Sequence, residues 1–271
     1  MAGDSRLEGK VAIVAGAGSR GAGIGNGRAT AVLLARHGAK IAIVDSNPDW
    51  AEETARLVAA EGSSFQIFDG DVGDAATCEA IVERTVGEFG QLDVLVNNIS
   101  SPYARGDVTG VDVGAWDNAM SVKIAAMMLM SKYTIPAMMR SGGGSIINVT
   151  LAADPHSNSG AIHPTSRAAI IGLTHAMAAH HIGSNIRVNC IVPGWVDTSV
   201  DVLHRVKREI RAASGASKAF AESPTWDLDG TVLFLASDDA RWITGAALPI
   251  ESDSSAGRSN LPVAPSEQPK H

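Results

Sequence analysis

The sequence is poor in features that mark several classes of protein. It has only two cysteines, Cys78 and Cys190, which lie far apart and match no metal-ligand spacing. Both stand in apolar runs, so we expect packed free thiols in a reducing compartment. No apolar run approaches the ~20 residues that cross a bilayer, and residues 1–7 lack the apolar core of a secretory signal. These absences predict a soluble, cytoplasmic protein.

Basic charge is also scarce. The chain has 22 Lys and Arg against 29 Asp and Glu, for a formal net charge of −7, and no basic stripe runs along it. Nucleic acids and membranes are therefore not expected as partners. Hydrophobic residues make up 45% of the 271 residues, which is enough to build a sizeable core.

Short apolar runs alternate with longer amphipathic stretches. The runs lack a regular polar alternation, which predicts strands that are covered on both faces in a parallel sheet. The predicted strands are Val11–Ala15, Ile41–Val44, Phe65–Phe68, Leu92–Val96, Ser145–Val149 and Ile186–Ile191, and the predicted helices cover about 27–38, 48–61, 74–89, 114–140, 162–183 and 227–237. This order predicts an α/β, doubly wound Rossmann-type sheet flanked by helices. We expect one domain over 1–253 and a flexible C-terminal tail over 254–271.

A glycine-rich loop over residues 16–27 follows the first predicted strand. Glycines there let the backbone approach a pyrophosphate, and the next helix supplies free N–H groups. Asp45 ends the second predicted strand, where a carboxylate can take the ribose hydroxyls of adenosine. That carboxylate would repel a 2′-phosphate, so the pattern favours NAD over NADP, although Arg20 in the loop is able to reach a phosphate.

The segment from about Leu7 to Asp253 resembles the short-chain dehydrogenase/reductase family. Stretches that match its motifs occur in family order at Gly70–Val72, Asn97–Ser100, Pro193–Thr198 and Ala240–Gly245. The resemblance implies a nicotinamide cofactor bound by Gly16, Gly25, Gly27, Asp45, Asp71, Val72, Asn97, Ile99, Arg167, Pro193, Val196 and Thr198. It also implies a homotetramer or homodimer formed through the helices at 114–140 and 162–183. The glycine-rich loop is longer than the family's, which leaves open which amides hold the pyrophosphate.

The sequence departs from the family at the catalytic residues. The family uses a Tyr as acid/base and a Lys one helical turn later, whose charge lowers the pKa of the Tyr. Matching Thr165–Thr174 to the family's helix places His163 at the Tyr position and Arg167 at the Lys position. The two tyrosines of the chain, Tyr103 and Tyr133, have no Lys one turn later.

The family's two other catalytic positions also differ. Lys123 stands where the family has an Asn, which adds a cation to the site. The family's Ser position falls on Thr150 when the spacing to His163 is matched, and on Leu151 when the end of the strand is matched. The substrate would lie against Tyr103, Arg105 and residues 199–222, and these residues do not identify it.

These replacements are chemically competent. Arg167 can bind ribose hydroxyls, and a cation one turn away disfavours imidazolium, so we expect His163 to be neutral. Neutral imidazole is a general base, and imidazolium is a stronger acid than a phenol. Three hypotheses stay open. The first is an NAD-dependent oxidoreductase that acts on an alcohol or carbonyl of a small molecule. The second is a non-redox lyase, isomerase or dehydratase that uses His163, Lys123 and Arg167 on an enolate-like intermediate, and the third is a catalytically silent binding subunit.

Overall fold

The sheet of the protein is known from a computed structural model, which describes residues 5–19, 24–99, 107–150, 160–193 and 225–250. In this part of the chain, seven parallel strands form one sheet in the order β3-β2-β1-β4-β5-β6-β7. The strands are β1 (Val11–Ala15), β2 (Lys40–Asp45), β3 (Phe65–Asp69), β4 (Val94–Asn97), β5 (Gly144–Val149), β6 (Ile186–Pro193) and β7 (Ala247–Ile250). The first six correspond to the predicted strands, with ends that differ by at most two residues, while β7 is not among the strands predicted from apolar runs.

Helices connect the strands, as the amphipathic stretches predict. They are α1 (Asn26–Arg36), α2 (Pro48–Ala60), α3 (Ala75–Phe89), α4 (Val113–Met120), α5 (Ala126–Arg140), α6 (Ile162–His181) and α7 (Thr225–Ala236). The predicted helix at 114–140 is interrupted by a π-helical turn over Ser121–Ala125, which separates α4 from α5. Such π turns occur mostly as single insertions, and frequently at functional sites.

Neighbouring side chains of each strand enter opposite layers of the protein. In β1, Ala12 and Val14 pack in the core beneath α1, α2 and α7. Val11 and Ile13 pack in the second core, against α3, α5 and α6. Because both faces are covered, every residue of β1 is buried, which explains its continuous apolar run. The predicted doubly wound α/β fold is confirmed.

The order of the strands places a binding edge between β1 and β4. The chain leaves the centre of the sheet in opposite directions on either side of this pair. In open parallel sheets, ligands bind beyond the carboxyl ends of the strands at such a reversal. Ala15 and Asn97 are paired at these ends, and Asp45 ends the neighbouring strand β2.

The cysteines and the possible membrane spans are two further features on which the sequence makes a prediction. Cys78 and Cys190 are both buried and free, which confirms their prediction as packed thiols. Among the helices that the structure describes, none has the length and apolar character needed to cross a bilayer.

Candidate active site

The glycine-rich loop packs tightly against the turn after β4 and against α1. Gly16 has φ of +77°, a left-handed conformation that glycine adopts without strain, and its amide donates to the Val44 carbonyl (2.9 Å). A Cβ on Gly16 would overlap the Asn98 carbonyl, and a Cβ on Gly27 would overlap the Gly16 carbonyl. These two glycines therefore permit the close backbone approach that a phosphate cradle requires.

The N-terminus of α1 faces this loop. Gly25 is the N-cap residue, and no side chain of the described residues caps the helix. The first helical hydrogen bond runs from the Ala29 amide to the Gly25 carbonyl (3.0 Å), so the amides of residues 26–28 point out of the helix end. Together with the helix dipole, such amides bind anions, and a pyrophosphate fits here.

Arg28 also belongs to this region, although no motif in the sequence singles it out. Its side chain is 3% exposed, and its Nε donates to Thr54 Oγ1 (3.2 Å), which joins α1 to α2. Burial lowers the pKa of Arg28, and the charges of Glu53 and Asp45 oppose this effect. No local pattern indicates this role of Arg28, because its partner Thr54 lies on a separate helix.

Asp45 is held at the end of β2 by backbone donors. Its Oδ2 accepts a hydrogen bond from the Gly18 amide (2.7 Å), and its Oδ1 accepts one from the Asn47 amide (3.0 Å). The carboxylate is half-buried, and each oxygen keeps a further lone pair for a hydroxyl donor. This fixed acceptor beside the glycine-rich loop fits the ribose hydroxyls of a dinucleotide.

Asp71 and Val72 follow β3 at the same edge of the sheet. Asp71 is exposed, and its Oδ1 accepts a hydrogen bond from the Gly73 amide (2.8 Å). Val72 is half-buried against the apolar cluster that contains Ile99. An acidic group next to an apolar surface suits the polar edge and flat face of adenine.

A buried polar network lies under the site. Asn97 Nδ2 donates to Asn148 Oδ1 (2.9 Å), and Asn148 Nδ2 donates to Thr174 Oγ1 (3.0 Å), which links β4, β5 and α6. Asn97 is fully buried, yet its Oδ1 has no hydrogen-bond partner among the residues that the structure describes. An unsatisfied buried acceptor costs roughly 1–3 kcal/mol, so this oxygen is suited to contact a bound group.

The structure brings Lys123 and His163 together. Lys123 lies in the π-helical turn, and His163 lies in the first turn of α6. The Nζ of Lys123 is 3.5 Å from the Nδ1 of His163, and the residues are 1% and 5% exposed. Within the described ranges, no carboxylate forms an ion pair with Lys123. The pair is therefore a buried contact between two nitrogen bases.

Burial and mutual charge set the protonation of this pair. Burial lowers the pKa of Lys123 to about 8. Burial also lowers the pKa of His163, and the charge of Lys123 lowers it further, so the imidazole is neutral at pH 7. The sequence also predicts a neutral His163, but from the charge of Arg167, whereas in the structure the causes are burial and the charge of Lys123.

Arg167 and Thr150 are the other two predicted catalytic residues that the structure describes. Arg167 is half-buried on α6, one turn after His163. Burial raises the pKa of the Cys190 thiol to about 12, and the Arg167 charge acts against this rise, which locates the guanidinium near β6. Thr150 follows β5 and is 3% exposed, with its hydroxyl donating to the Ile191 carbonyl (3.3 Å).

The remaining predicted site residues divide into two groups. Pro193 ends β6 and is buried at the same edge of the sheet. Outside the described residues lie Leu151, Val196 and Thr198, and also Arg20, Tyr103, Arg105 and residues 199–222 of the predicted loop and substrate wall.

Taken together, the described residues at this edge of the sheet fit a nicotinamide dinucleotide. The fit rests on the overlap that a Cβ would cause at Gly16 and Gly27, and on the buried Asn97 Oδ1. No group of His, Cys, Asp and Glu in the described part of the chain is arranged to hold a metal ion.

Comparisons with known proteins give the family. The family model described as "Enoyl-(Acyl carrier protein) reductase", which is a short-chain dehydrogenase model, matches residues 20–252. This match covers most of the 271 residues. The chain therefore belongs to the short-chain dehydrogenase/reductase family of oxidoreductases.

Individual relatives are similar over nearly their whole length. The chain is 34% identical over 261 residues to an uncharacterized oxidoreductase of Thermotoga maritima, covering 92% of this chain and 99% of that protein. It is 31% identical over 245 residues to cis-4-hydroxycyclohexanecarboxylate dehydrogenase of Sinomonas cyclohexanicum, covering 89% and 95%. The solved structure of carveol dehydrogenase from Mycobacterium avium in complex with NAD has a TM-score of 0.78 and 26% identity, covering 91% of this chain and 98% of that one.

Proposed function

We propose that the protein is an NAD-dependent oxidoreductase that interconverts an alcohol and a carbonyl group of a small molecule. His163 takes the place of the family's Tyr, and Arg167 takes the place of its Lys. The buried 3.5 Å contact between Lys123 and His163 carries this proposal. It provides a group that exchanges protons beside an edge of the sheet whose glycines and carboxylate suit a dinucleotide.

The cofactor is argued from this chain's own residues, with support from carveol dehydrogenase, which is in complex with NAD. Asp45 favours NAD over NADP, because its carboxylate, held by two amides, would repel a 2′-phosphate. Gly16, Gly27 and the first amides of α1 hold the pyrophosphate, and Arg167 binds the ribose next to the nicotinamide. Bound NAD supplies the carbon that accepts a hydride.

The proton is handled by the chain itself. During oxidation, the alcohol carbon gives up its hydrogen as a hydride, and the hydroxyl proton passes to His163. The lowered pKa of His163, caused first by burial and then by the charge of Lys123, keeps the imidazole in its neutral form, which is the form that can accept a proton. Thr150, at the end of β5, orients the substrate oxygen.

The proposal includes an assembly of several subunits. The chain forms a homotetramer or homodimer in the cytoplasm through α4, α5 and α6, with residues 1–253 as one domain. The exposure of Met128 (41%) and Met139 (52%) on α5 supports this surface, because large apolar side chains on a helix are often covered by a partner. Light scattering after size-exclusion chromatography measures the number of subunits.

The activity is tested with purified protein, NAD and a panel of cyclic and acyclic secondary alcohols, by following NADH absorbance. We expect His163→Gln to lower kcat by at least about 100-fold, which is the range of general acid–base catalysis. His175→Gln is the matched control, because His175 lies exposed on the same helix and should leave turnover unchanged. Protein that binds NAD but turns over no alcohol would argue against the proposal.

A second candidate function is a non-redox lyase, isomerase or dehydratase. It is favoured by the buried Lys123, which has no carboxylate partner among the described residues and which suits a negatively charged, enolate-like intermediate together with His163 and Arg167. Activity that survives removal of the nucleotide would support this function, and a strict requirement for stoichiometric NAD would exclude it.

A silent binding subunit would keep its cellular role in a His163→Phe variant.

A further inference from the structure

The Lys123–His163 contact restricts where protons can reside. Both side chains are buried, at 1% and 5% exposure, and a second positive charge 3.5 Å from the first would be unfavourable. The pair therefore holds a single excess proton at most. A hydrogen bond between the two nitrogens needs an N–H on one of them and a lone pair on the other. One proton therefore lies between Lys123 Nζ and His163 Nδ1, whether Lys123 is an ammonium or an amine.

Two arrangements satisfy this condition, and they differ at the far nitrogen of the ring. When Lys123 is an ammonium, it donates to His163 Nδ1, and the neutral ring carries its proton on Nε2. When Lys123 is an amine, it accepts a hydrogen bond from His163 Nδ1–H, and Nε2 carries a lone pair and no proton. The protonation state of Lys123 thus selects the tautomer of His163.

We propose that Lys123 and His163 form a two-residue proton relay in which the substrate proton enters at His163 Nε2 and Lys123 becomes the final acceptor. This inference rests on the proposed oxidoreductase function. In oxidation, the alcohol O–H bond breaks as Nε2–H forms, and Nδ1–H breaks as Nζ–H forms. The alcohol C–H hydrogen leaves as a hydride to NAD, so the amine of Lys123 gains the one positive charge. Reduction runs the same steps in reverse.

In this scheme Lys123 does not touch the substrate. It acts through His163 as a positioning residue that sets the tautomer of the imidazole. Lys123 itself lies in the π-helical turn. Such a role also explains a buried lysine without a carboxylate partner among the described residues, since a nearby carboxylate would keep the ammonium permanently charged.

The relay predicts opposite pH dependence for the two directions. The elements packed against the π-helical turn are α4, α5 and α6; besides His163, their titratable groups are Asp117, Lys132, Tyr133, Arg140, Arg167, His175, His180 and His181. Among the described residues, His163 is the titratable group within hydrogen-bond distance of Lys123, and burial lowers the pKa of Lys123 to about 8. Oxidation needs the amine and should rise as pH passes about 8, whereas reduction needs the ammonium and should fall there.

Nitrogen-15 NMR of protein labelled at histidine tests the relay without any turnover, with His163→Gln used to assign the signals. We expect His163 to change from the Nε2–H to the Nδ1–H tautomer as pH rises from about 6 to about 10. In Lys123→Met, which removes the charge but keeps a similar shape, the change should vanish. A tautomer that stays constant, or that changes equally in Lys123→Met, would overturn the relay.

Steady-state kinetics provide a second test of the relay. Lys123→Arg keeps a permanent charge that cannot accept a proton, so it should lower kcat for oxidation by about 10- to 100-fold with a smaller change in KM. It should also abolish the rise near pH 8, and it serves if Lys123→Met does not fold. A wild-type pH profile in Lys123→Arg would contradict the relay. Turnover without a tautomer change defeats the relay alone, whereas a tautomer change without turnover of any alcohol defeats the proposed function.

Discussion

A buried carboxyl group on α7 provides a quantitative test of the structure. Asp229 on α7 is fully buried and accepts a hydrogen bond from Thr30 Oγ1 of α1 (2.6 Å) at Oδ1. Its Oδ2 has no partner among the described residues. Burial raises the pKa of Asp229 to about 8, although the hydrogen bond from Thr30 lowers it.

The sign of the effect follows from proton binding. An unfolded Asp ionises near pH 3.9, whereas the folded protein keeps Asp229 protonated up to about pH 8. This contribution to stability is fully present below about pH 4 and is lost as pH rises towards about 8, at ~1.4 kcal/mol per pH unit. At pH 7 the accumulated loss is of the order of 4 kcal/mol.

Asp229→Asn should remove this loss, because the amide has nearly the same shape and carries no charge. Urea unfolding at a fixed protein concentration, at about pH 5 and about pH 8, measures the free energy of unfolding. We expect the variant to gain roughly 3–4 kcal/mol over wild type between these two values. Asp117→Asn, an exposed position on α4, is the control. An equal difference from wild type at both pH values would refute the argument.

Three further predictions concern the binding edge and the core. Asp45→Asn should lower the preference for NAD over NADP by roughly tenfold, about 1.4 kcal/mol, as measured by fluorescence titration of both nucleotides, and an unchanged ratio would count against the role of the carboxylate. Gly27→Ala should prevent nucleotide binding in calorimetry, because its Cβ would overlap the Gly16 carbonyl, and tight binding by a folded variant would contradict this. Since burial raises the pKa of Cys78 to about 11 and that of Cys190 to about 12, neither thiol should react with a thiol reagent at pH 7 until urea unfolds the chain.

The sequence was sufficient to predict most of the sheet, for a physical reason. Strands that are buried on both faces must be apolar at every position, so β1 and β2 appear as continuous runs. Strand β7 has only four residues, none of them fully buried, and its Pro249 is a residue that is rare within strands. The π-helical turn over Ser121–Ala125 was also missed, because its residues continue the pattern of the flanking helices.

The site could be predicted only in part. Matching motifs along the chain singled out Lys123 and His163, but their contact depends on how the π-helical turn packs against α6. The contact between Thr30 and Asp229, 199 residues apart, gave no local signal at all. Arg28 was missed for the same reason, since its partner lies on α2. Contacts between polar residues on different helices or strands depend on tertiary packing. A sequence pattern along one helix or strand does not reveal that packing.

The central claim is that His163 faces the reacting carbon of a bound dinucleotide. A crystal structure of the protein with NAD and a substrate alcohol tests it most directly. We predict that the nicotinamide ring lies beside His163, with the substrate oxygen within hydrogen-bond distance, about 2.6–3.2 Å, of His163 Nε2. A nicotinamide ring bound away from His163, or a substrate oxygen held by other groups, would contradict the account.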